Sequence, residues 1–197
     1  MKKRAVFLDR DGTLSVDSAY PSRYEEIAIY PESFEAVRKL NRAGLLTVVV
    51  TNQSAVGRGL LTEHALDEIH ARLSSSFASQ GARLDAIYFC PHYALAADPR
   101  YGEDCDCRKP KTGLALRAEA ELGLDLGRSY MVGDKTEDVI FGMNIRAVPV
   151  LVLTGFGRES LAVLRERGIE PAHVAENILQ AADWILDREG RQAHDPV

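Results

Sequence analysis

Ala5-Val6-Phe7-Leu8-Asp9-Arg10-Asp11-Gly12-Thr13 runs four apolar residues straight into two carboxylates separated by one cation. Four consecutive apolar residues are too few for a helix and leave no polar face for water. The run therefore predicts a strand over 5–9, buried on both faces as strands of parallel sheets are. Gly12 permits a sharp turn directly after it. Working outward, the Val-rich run 45–51 predicts a second buried strand, and 84–90, 129–133 and 148–153 predict three more. Helical spacing fills the gaps. Phe34, Val37 and Leu40 share a face over 32–43, with Pro31 near the start and Gly44 as the stop. Leu66, Ile69, Leu73 and Phe77 share a face over 62–79, with Thr62 as the cap. Further helices are predicted over 113–122, closed by Gly123, and over 136–144, 159–167 and 177–189; in the last, Leu179, Trp184 and Ile185 read as packing residues.

Strands alternating with helices predict an α/β fold, a doubly wound parallel sheet of Rossmann-like type. The expected organisation is a single domain over 1–190, a polar tail over 191–197, and an irregular segment over 91–110. The longest segments outside the core pattern are 15–30, 54–61 and that irregular segment, none long enough for a separate cap domain.

Composition sets outer limits. The chain has 197 residues, 24 Lys+Arg against 29 Asp+Glu, and a net charge of −5. An acidic balance argues against a nucleic-acid binder, so an anionic ligand would have to be held by local positive charge. No stretch approaches the ~20 apolar residues that cross a membrane. Lys2-Lys3-Arg4 is followed by only Ala5–Leu8 before charge resumes, too short for a secretory signal. The expectation is a cytoplasmic protein with no membrane or nucleic-acid partner. The sequence leaves oligomeric state open, and a monomer is consistent with it.

In doubly wound sheets, ligands bind beyond the carboxyl ends of the strands. The first predicted strand ends in Asp9, with Asp11 just beyond; the second ends in Thr51-Asn52; the fourth ends in Gly133-Asp134, with Asp138 four residues on. Lys109 precedes the helix that leads to the fourth strand. Each residue alone has an ordinary explanation: Asp9 and Asp11 an acidic turn, Thr51 a strand-end hydroxyl bonding its own turn, Asp134 a helix cap, Lys109 a surface lysine. Together they form a site. Asp9 and Asp134 suit Mg²⁺, a hard cation taking oxygen ligands. Thr51 offers a hydroxyl to a phosphoryl oxygen, Lys109 offsets negative charge, and Asp138 acts from behind.

All three cysteines fall within 18 residues. Cys90-x-His92 and Cys105-x-Cys107 bracket one loop, and an odd count excludes a complete disulfide set. Three thiolates and one imidazole make a known structural zinc set, with no position left open for catalysis. The expected zinc-binding loop, 90–107, runs directly into Arg108-Lys109 and would brace both cations.

Asp9-x-Asp11-Gly12-Thr13, Thr51, Lys109 and Gly133-Asp134-x-x-x-Asp138 together resemble the four motifs of the haloacid-dehalogenase-type phosphohydrolases, over roughly residues 5–155. The resemblance implies Asp9 as nucleophile, Asp11 as general acid and base, and Mg²⁺ held by Asp9, Asp134 and the backbone carbonyl of Asp11. Thr51-Asn52-Gln53-Ser54, Arg58-Gly59, the Cys/His loop and Cys107-Arg108-Lys109-Pro110 are similar to the branch of that family acting on heptose bisphosphates and histidinol phosphate. This implies an Mg²⁺- and Zn²⁺-containing phosphatase of a small phosphorylated sugar, foremost D-glycero-D-manno-heptose 1,7-bisphosphate, with histidinol phosphate as the alternative. Asn52, Gln53, Ser54, Arg58, Arg108 and Lys135 would contact that substrate. Ala55, Thr112 and Ser15-Val16 depart from the branch's pattern.

Two readings of another class are a non-catalytic receiver-like domain that accepts phosphate on Asp, and a zinc interaction module. Against the receiver, Asp11 sits two residues beyond Asp9 and supplies the base that hydrolysis requires. His64 and His70, on the helix over 62–79, read as solvated positions; Tyr20 and Tyr24, in the loop after the first motif, read as packing residues, with a cover over the active site as the alternative.

Overall fold

The computed structural model describes residues 2–102 and 104–194. Its strands are β1 Ala5–Leu8, β2 Leu46–Asn52, β3 Ala86–Cys90, β4 Tyr130–Gly133, β5 Val148–Val152 and β6 His173–Ala175. They form one six-stranded sheet in the order β3-β2-β1-β4-β5-β6, and every neighbouring pair is parallel. The helices are α1 Pro31–Arg42, α2 Ser54–Gly57, α3 Glu63–Ser79, α4 Pro99–Gly102, α5 Gly113–Leu122, α6 Thr136–Asn144, α7 Gly157–Glu166 and α8 Ile178–His194.

The opening strand shows why the sheet is covered on both faces. Val6 and Leu8 enter one core with Val37 and Leu40 of α1, Leu73 and Phe77 of α3, and Ala181 and Ile185 of α8. Ala5 and Phe7 point the other way, into a core with Leu114 and Ala118 of α5 and Phe141 of α6. This is the two-residue period of a strand with no solvent-facing side. Local signals set the ends of the helices. Thr62 accepts a hydrogen bond from the Ala65 N–H at 3.1 Å, and Gly123 closes α5 at φ +67°.

Three features differ from expectation. β6 is a three-residue edge strand on β5, too short for alternation to register. α2 and α4 are single turns inside segments read as loop. α8 continues through His194, past the expected end at 189. The expected tail therefore begins inside the helix, and 195–197 lie outside the described residues. Among the described residues, no helix is long and apolar enough to cross a membrane.

In this strand order the chain reverses direction across the sheet between β1 and β4, which opens a crevice at their carboxyl ends. Leu8 pairs with Val132, so Asp9 and Asp134 leave adjacent strands side by side.

Candidate active site

A cleft of about 900 Å³ opens at this crevice, lined among others by Asp9, Asp11, Thr51, Arg108, Lys109 and Lys135. At its floor Lys109 is 3% exposed. Its Nζ donates to Asp9 Oδ1 at 2.8 Å, Asp138 Oδ1 at 2.6 Å and the Val50 carbonyl at 2.8 Å. Burial works against the Lys109 charge, but Asp138 and Asp9 outweigh it and hold its pKa above the usual lysine value. The carboxylates fare differently, because they share this ammonium. Burial, reinforced by the negative charge of Asp138, pushes Asp9 up despite Lys109. Burial, with Asp9 and Asp138 nearby, pushes Asp134 up as well.

Carboxylate oxygens of Asp9, Asp134 and Asp138 lie within 4.8 Å of one another, and all three residues are buried. The excess of buried negative charge is what a divalent cation would relieve. Asp138 is already engaged: Oδ1 accepts from Lys109 and Oδ2 from the Lys135 backbone N–H at 3.0 Å. Asp9 is held by Lys109 through Oδ1, and Asp134 Oδ1 meets only the Thr13 hydroxyl at a long 3.5 Å, so these two side chains fit Mg²⁺ better than Asp138 does. Two glycines make room for Asp134. A Cβ on Gly12 (φ +91°) or on Gly155 (φ +53°) would fall 2.2 Å from its Oδ2. That oxygen accepts instead from the Phe156 N–H at 2.8 Å.

Asp11 is held from the other side. Arg10 donates from Nε to Oδ1 at 3.0 Å and from Nη2 to Oδ2 at 2.8 Å. Gln53 Nε2 donates to Asp11 Oδ2 and to Thr51 Oγ1, both at 2.8 Å. Burial alone would raise the Asp11 pKa, but the Arg10 charge and these hydrogen bonds bring it below the usual carboxylate value.

The Cys/His loop gathers as expected. Cys90 Sγ lies 3.6 Å from Cys105 Sγ and 3.6 Å from His92 Nδ1, and Cys107 Sγ lies 3.3 Å from His92 Nδ1. A tetrahedron with metal–sulfur bonds near 2.3 Å has edges of about 3.8 Å, so the donor set fits zinc in spacing and in chemistry. The cysteines are unbridged. The loop is tied to the cleft: Arg108 Nη1 donates to the His92 carbonyl at 3.2 Å and Lys111 Nζ to the Cys105 carbonyl at 2.8 Å.

Some residues expected on substrate have other partners. The Asn52 amide donates to the Lys109 carbonyl at 3.2 Å and accepts from the Lys109 N–H at 3.0 Å, fixing that backbone. Gln53 is buried against Asp11 and Thr51. Arg58 lies outside the cleft lining; its guanidinium stacks 3.7 Å from the Tyr93 ring centre and 5.3 Å from that of Tyr20. Ser54, Arg108 and Lys135 do line the cleft, and Lys135 Nζ reaches Asp17 Oδ2 at 3.1 Å.

Sequence reasoning missed others. Tyr20, read as packing, is 45% exposed and lines the cleft with Tyr93 and Phe156. Arg10, the unassigned residue of Asp-x-Asp, is 1% exposed. His70, read as solvated, is buried and lies 3.2 Å from Arg10 Nη1. A signal for His70 existed: four residues after Leu66 and three before Leu73, it borders the apolar stripe of α3.

Comparison with known proteins shows the family. The "HAD-hyrolase-like" family model matches residues 106–181. The chain belongs to the haloacid-dehalogenase-type phosphatases, enzymes that hydrolyse phosphoric monoesters. Several of its relatives share one name. A D-glycero-beta-D-manno-heptose-1,7-bisphosphate 7-phosphatase of Pasteurella multocida (strain Pm70) is 43% identical over 154 residues, covering 78% of this chain and 83% of the relative. The enzyme of the same name from Yersinia pestis is 42% identical, covering 93% and 89%. The crystal structure of D,D-heptose 1,7-bisphosphate phosphatase from B. bronchiseptica, complexed with magnesium and phosphate, superposes with a TM-score of 0.82 at 32% identity, covering 94% of this chain and 99% of that one.

Proposed function

We propose that this protein is a cytoplasmic phosphatase of D-glycero-D-manno-heptose 1,7-bisphosphate, built as one domain without a cap, that removes the phosphate from the primary alcohol at position 7. The observation that carries this reading is the buried Asp9–Lys109–Asp138 ion-pair set beside Asp134, in a cleft that also holds Asp11. The names of the relatives support the substrate.

An Asp9 oxygen attacks phosphorus while the bond from phosphorus to the sugar oxygen breaks, and Asp11 gives that oxygen its proton. The phosphoryl group now sits on Asp9. Asp11 then takes a proton from water, whose oxygen bonds phosphorus as the bond to Asp9 breaks and inorganic phosphate leaves. Mg²⁺ held by Asp9, Asp134 and the Asp11 carbonyl would supply positive charge to the phosphoryl oxygens. Lys109 and the Thr51 hydroxyl face the same charge from the chain itself. Ser54, Arg108 and Lys135 line the route to the sugar and its second phosphate, and an Arg fork suits phosphate oxygens.

The test is a phosphatase screen on both anomers of the heptose bisphosphate, fructose 1,6-bisphosphate and histidinol phosphate. The expected result is the highest kcat/KM on a heptose bisphosphate, with phosphate lost from position 7. Preference for histidinol phosphate would overturn the substrate. A stable phospho-protein without turnover would point to the receiver-like alternative.

The zinc reading has its own expected outcome. The purified protein should contain about one zinc per chain, and Cys107→Ser should lower that content. Because Arg108 and Lys111 bond carbonyls of the loop, the same variant should lower the melting temperature and raise KM about tenfold, a cost typical of a disturbed site. A zinc-free preparation with full activity would refute it.

A further inference from the structure

We propose that His70 is a positioning residue for the acid–base carboxylate, acting on Asp11 through the buried Arg10 guanidinium. The inference rests on the proposed role of Asp11 and adds to it a residue on α3, outside the strand-end motifs.

The hydrogen bonds form a chain with defined directions. Arginine has only donors, so in the contact between Arg10 Nη1 and His70 Nε2, at 3.2 Å, the histidine must accept. His70 is therefore the neutral tautomer with its proton on Nδ1. Burial, and then the Arg10 charge, push its pKa down to about 3, in agreement with that neutral form. Arg10 Nη2 also donates to Gln53 Oε1 at 3.0 Å. The guanidinium thus has His70 on one arm and Gln53 on another, and presents its Nε and Nη2 fork to both oxygens of Asp11.

The arrangement fixes a plane. A carboxylate held by a two-pronged fork cannot rotate without breaking both bonds. The fork is fixed in turn only if its other donors are satisfied; an arm without its acceptor would swing toward another and tilt the carboxylate. When Asp11 carries a proton on one oxygen, the other oxygen still accepts from one prong of the fork, so the anchor is loosened but not lost in that half of the reaction. His70 does not line the cleft, whereas Arg10, Asp11 and Gln53 do. Its effect on chemistry must pass through Arg10. The His70 ring itself rests against Phe89 of β3, 5.5 Å between ring centres.

The experiment compares kcat/KM, which reports the steps through leaving-group departure, on two esters. A primary alkyl phosphate needs a proton on its departing oxygen; p-nitrophenyl phosphate does not. His70→Leu, which removes the acceptor, should lose about tenfold on the alkyl phosphate, part of the ~10²–10⁴-fold that a positioned acid supplies. Its loss on p-nitrophenyl phosphate should be about twofold or less on the same grounds. His70→Gln, which places an acceptor oxygen near the Nε2 position, should recover most of the alkyl activity. Should His70→Leu not fold, Arg10→Lys keeps the charge without the fork and should show the same split. Equal losses on both esters, or no loss on the alkyl phosphate, would overturn the positioning role while leaving the proposed function intact. A wild-type protein inactive on the heptose bisphosphate as well as on both esters would overturn the proposed function and this inference together.

Discussion

Asp9→Asn should abolish turnover, lowering kcat by about 10⁴-fold or more, as removal of a nucleophile does elsewhere. The substitution keeps the shape of the side chain and leaves an amide oxygen to accept from Lys109, which now donates to Asp9 Oδ1 at 2.8 Å. The variant loses the negative oxygen that attacks phosphorus, so no phosphoryl-enzyme forms. Stability should move the other way. Asp9 is a buried carboxylate whose burial disfavours its charge, with Asp138 adding to the penalty; a neutral amide removes that cost. The expected protein is folded, at least as resistant to urea as the parent in the absence of Mg²⁺, normal in zinc content, and inactive. Retention of more than about a hundredth of the wild-type rate would exclude Asp9 as nucleophile. Inactivity with loss of zinc or of fold would mean that the site had collapsed rather than lost its chemistry.

The contrast between Asp9 and His70 shows what the sequence states and what it omits. Asp9, Thr51 and Asp134 were legible because a fold rule places them: a parallel strand has one carboxyl end, and residues just past it face the crevice. The same rule gave the sheet its central strands, whose apolar runs are buried on both faces. The gathering of Cys90, His92, Cys105 and Cys107 was legible from composition, since the three cysteines of the chain all fall in one loop. Partnership among polar side chains obeys no such rule. Asn52 stands beside Thr51 and reads as a substrate contact, yet its amide closes on the backbone of Lys109, 57 residues away. Arg10 lies between two assigned carboxylates and receives no role from the sequence, although its guanidinium joins Asp11, Gln53 and His70. Each such pairing depends on which loops the fold brings together. Edge elements were missed for another reason. His173-Val174-Ala175 is only three residues long and is held as β6 by pairing with β5 rather than by a pattern of its own.

Lys109→Met should damage stability and activity together. In the folded protein the Lys109 ammonium is the donor shared by Asp9 and Asp138, at 2.8 and 2.6 Å, with all three side chains 5% exposed or less. Removing it strands two carboxylates in the interior, a loss of about 3–5 kcal/mol when one member of a buried pair is deleted. That is a large part of the ~5–15 kcal/mol that holds a domain of this kind together. The urea midpoint should fall accordingly. Adding Asp138→Asn should return part of the loss, because it removes one of the two stranded charges. The double variant would then be more stable than Lys109→Met alone. Simple additivity of the two single effects would show that the ammonium and Asp138 do not interact as the structure has them. Activity should not return with stability. At a temperature where the double variant is folded, kcat should remain about 10²–10³-fold below wild type, the scale of a lost charge-stabilising donor. The difference from Asp9 is one of kind. On the proposed mechanism Asp9 bears the cost of a buried charge to supply a nucleophile, so its removal should relax the protein and end the reaction. Lys109 offsets that charge and, on the proposed mechanism, also meets the charge on phosphorus, so the fold and the reaction should fail together when it is removed.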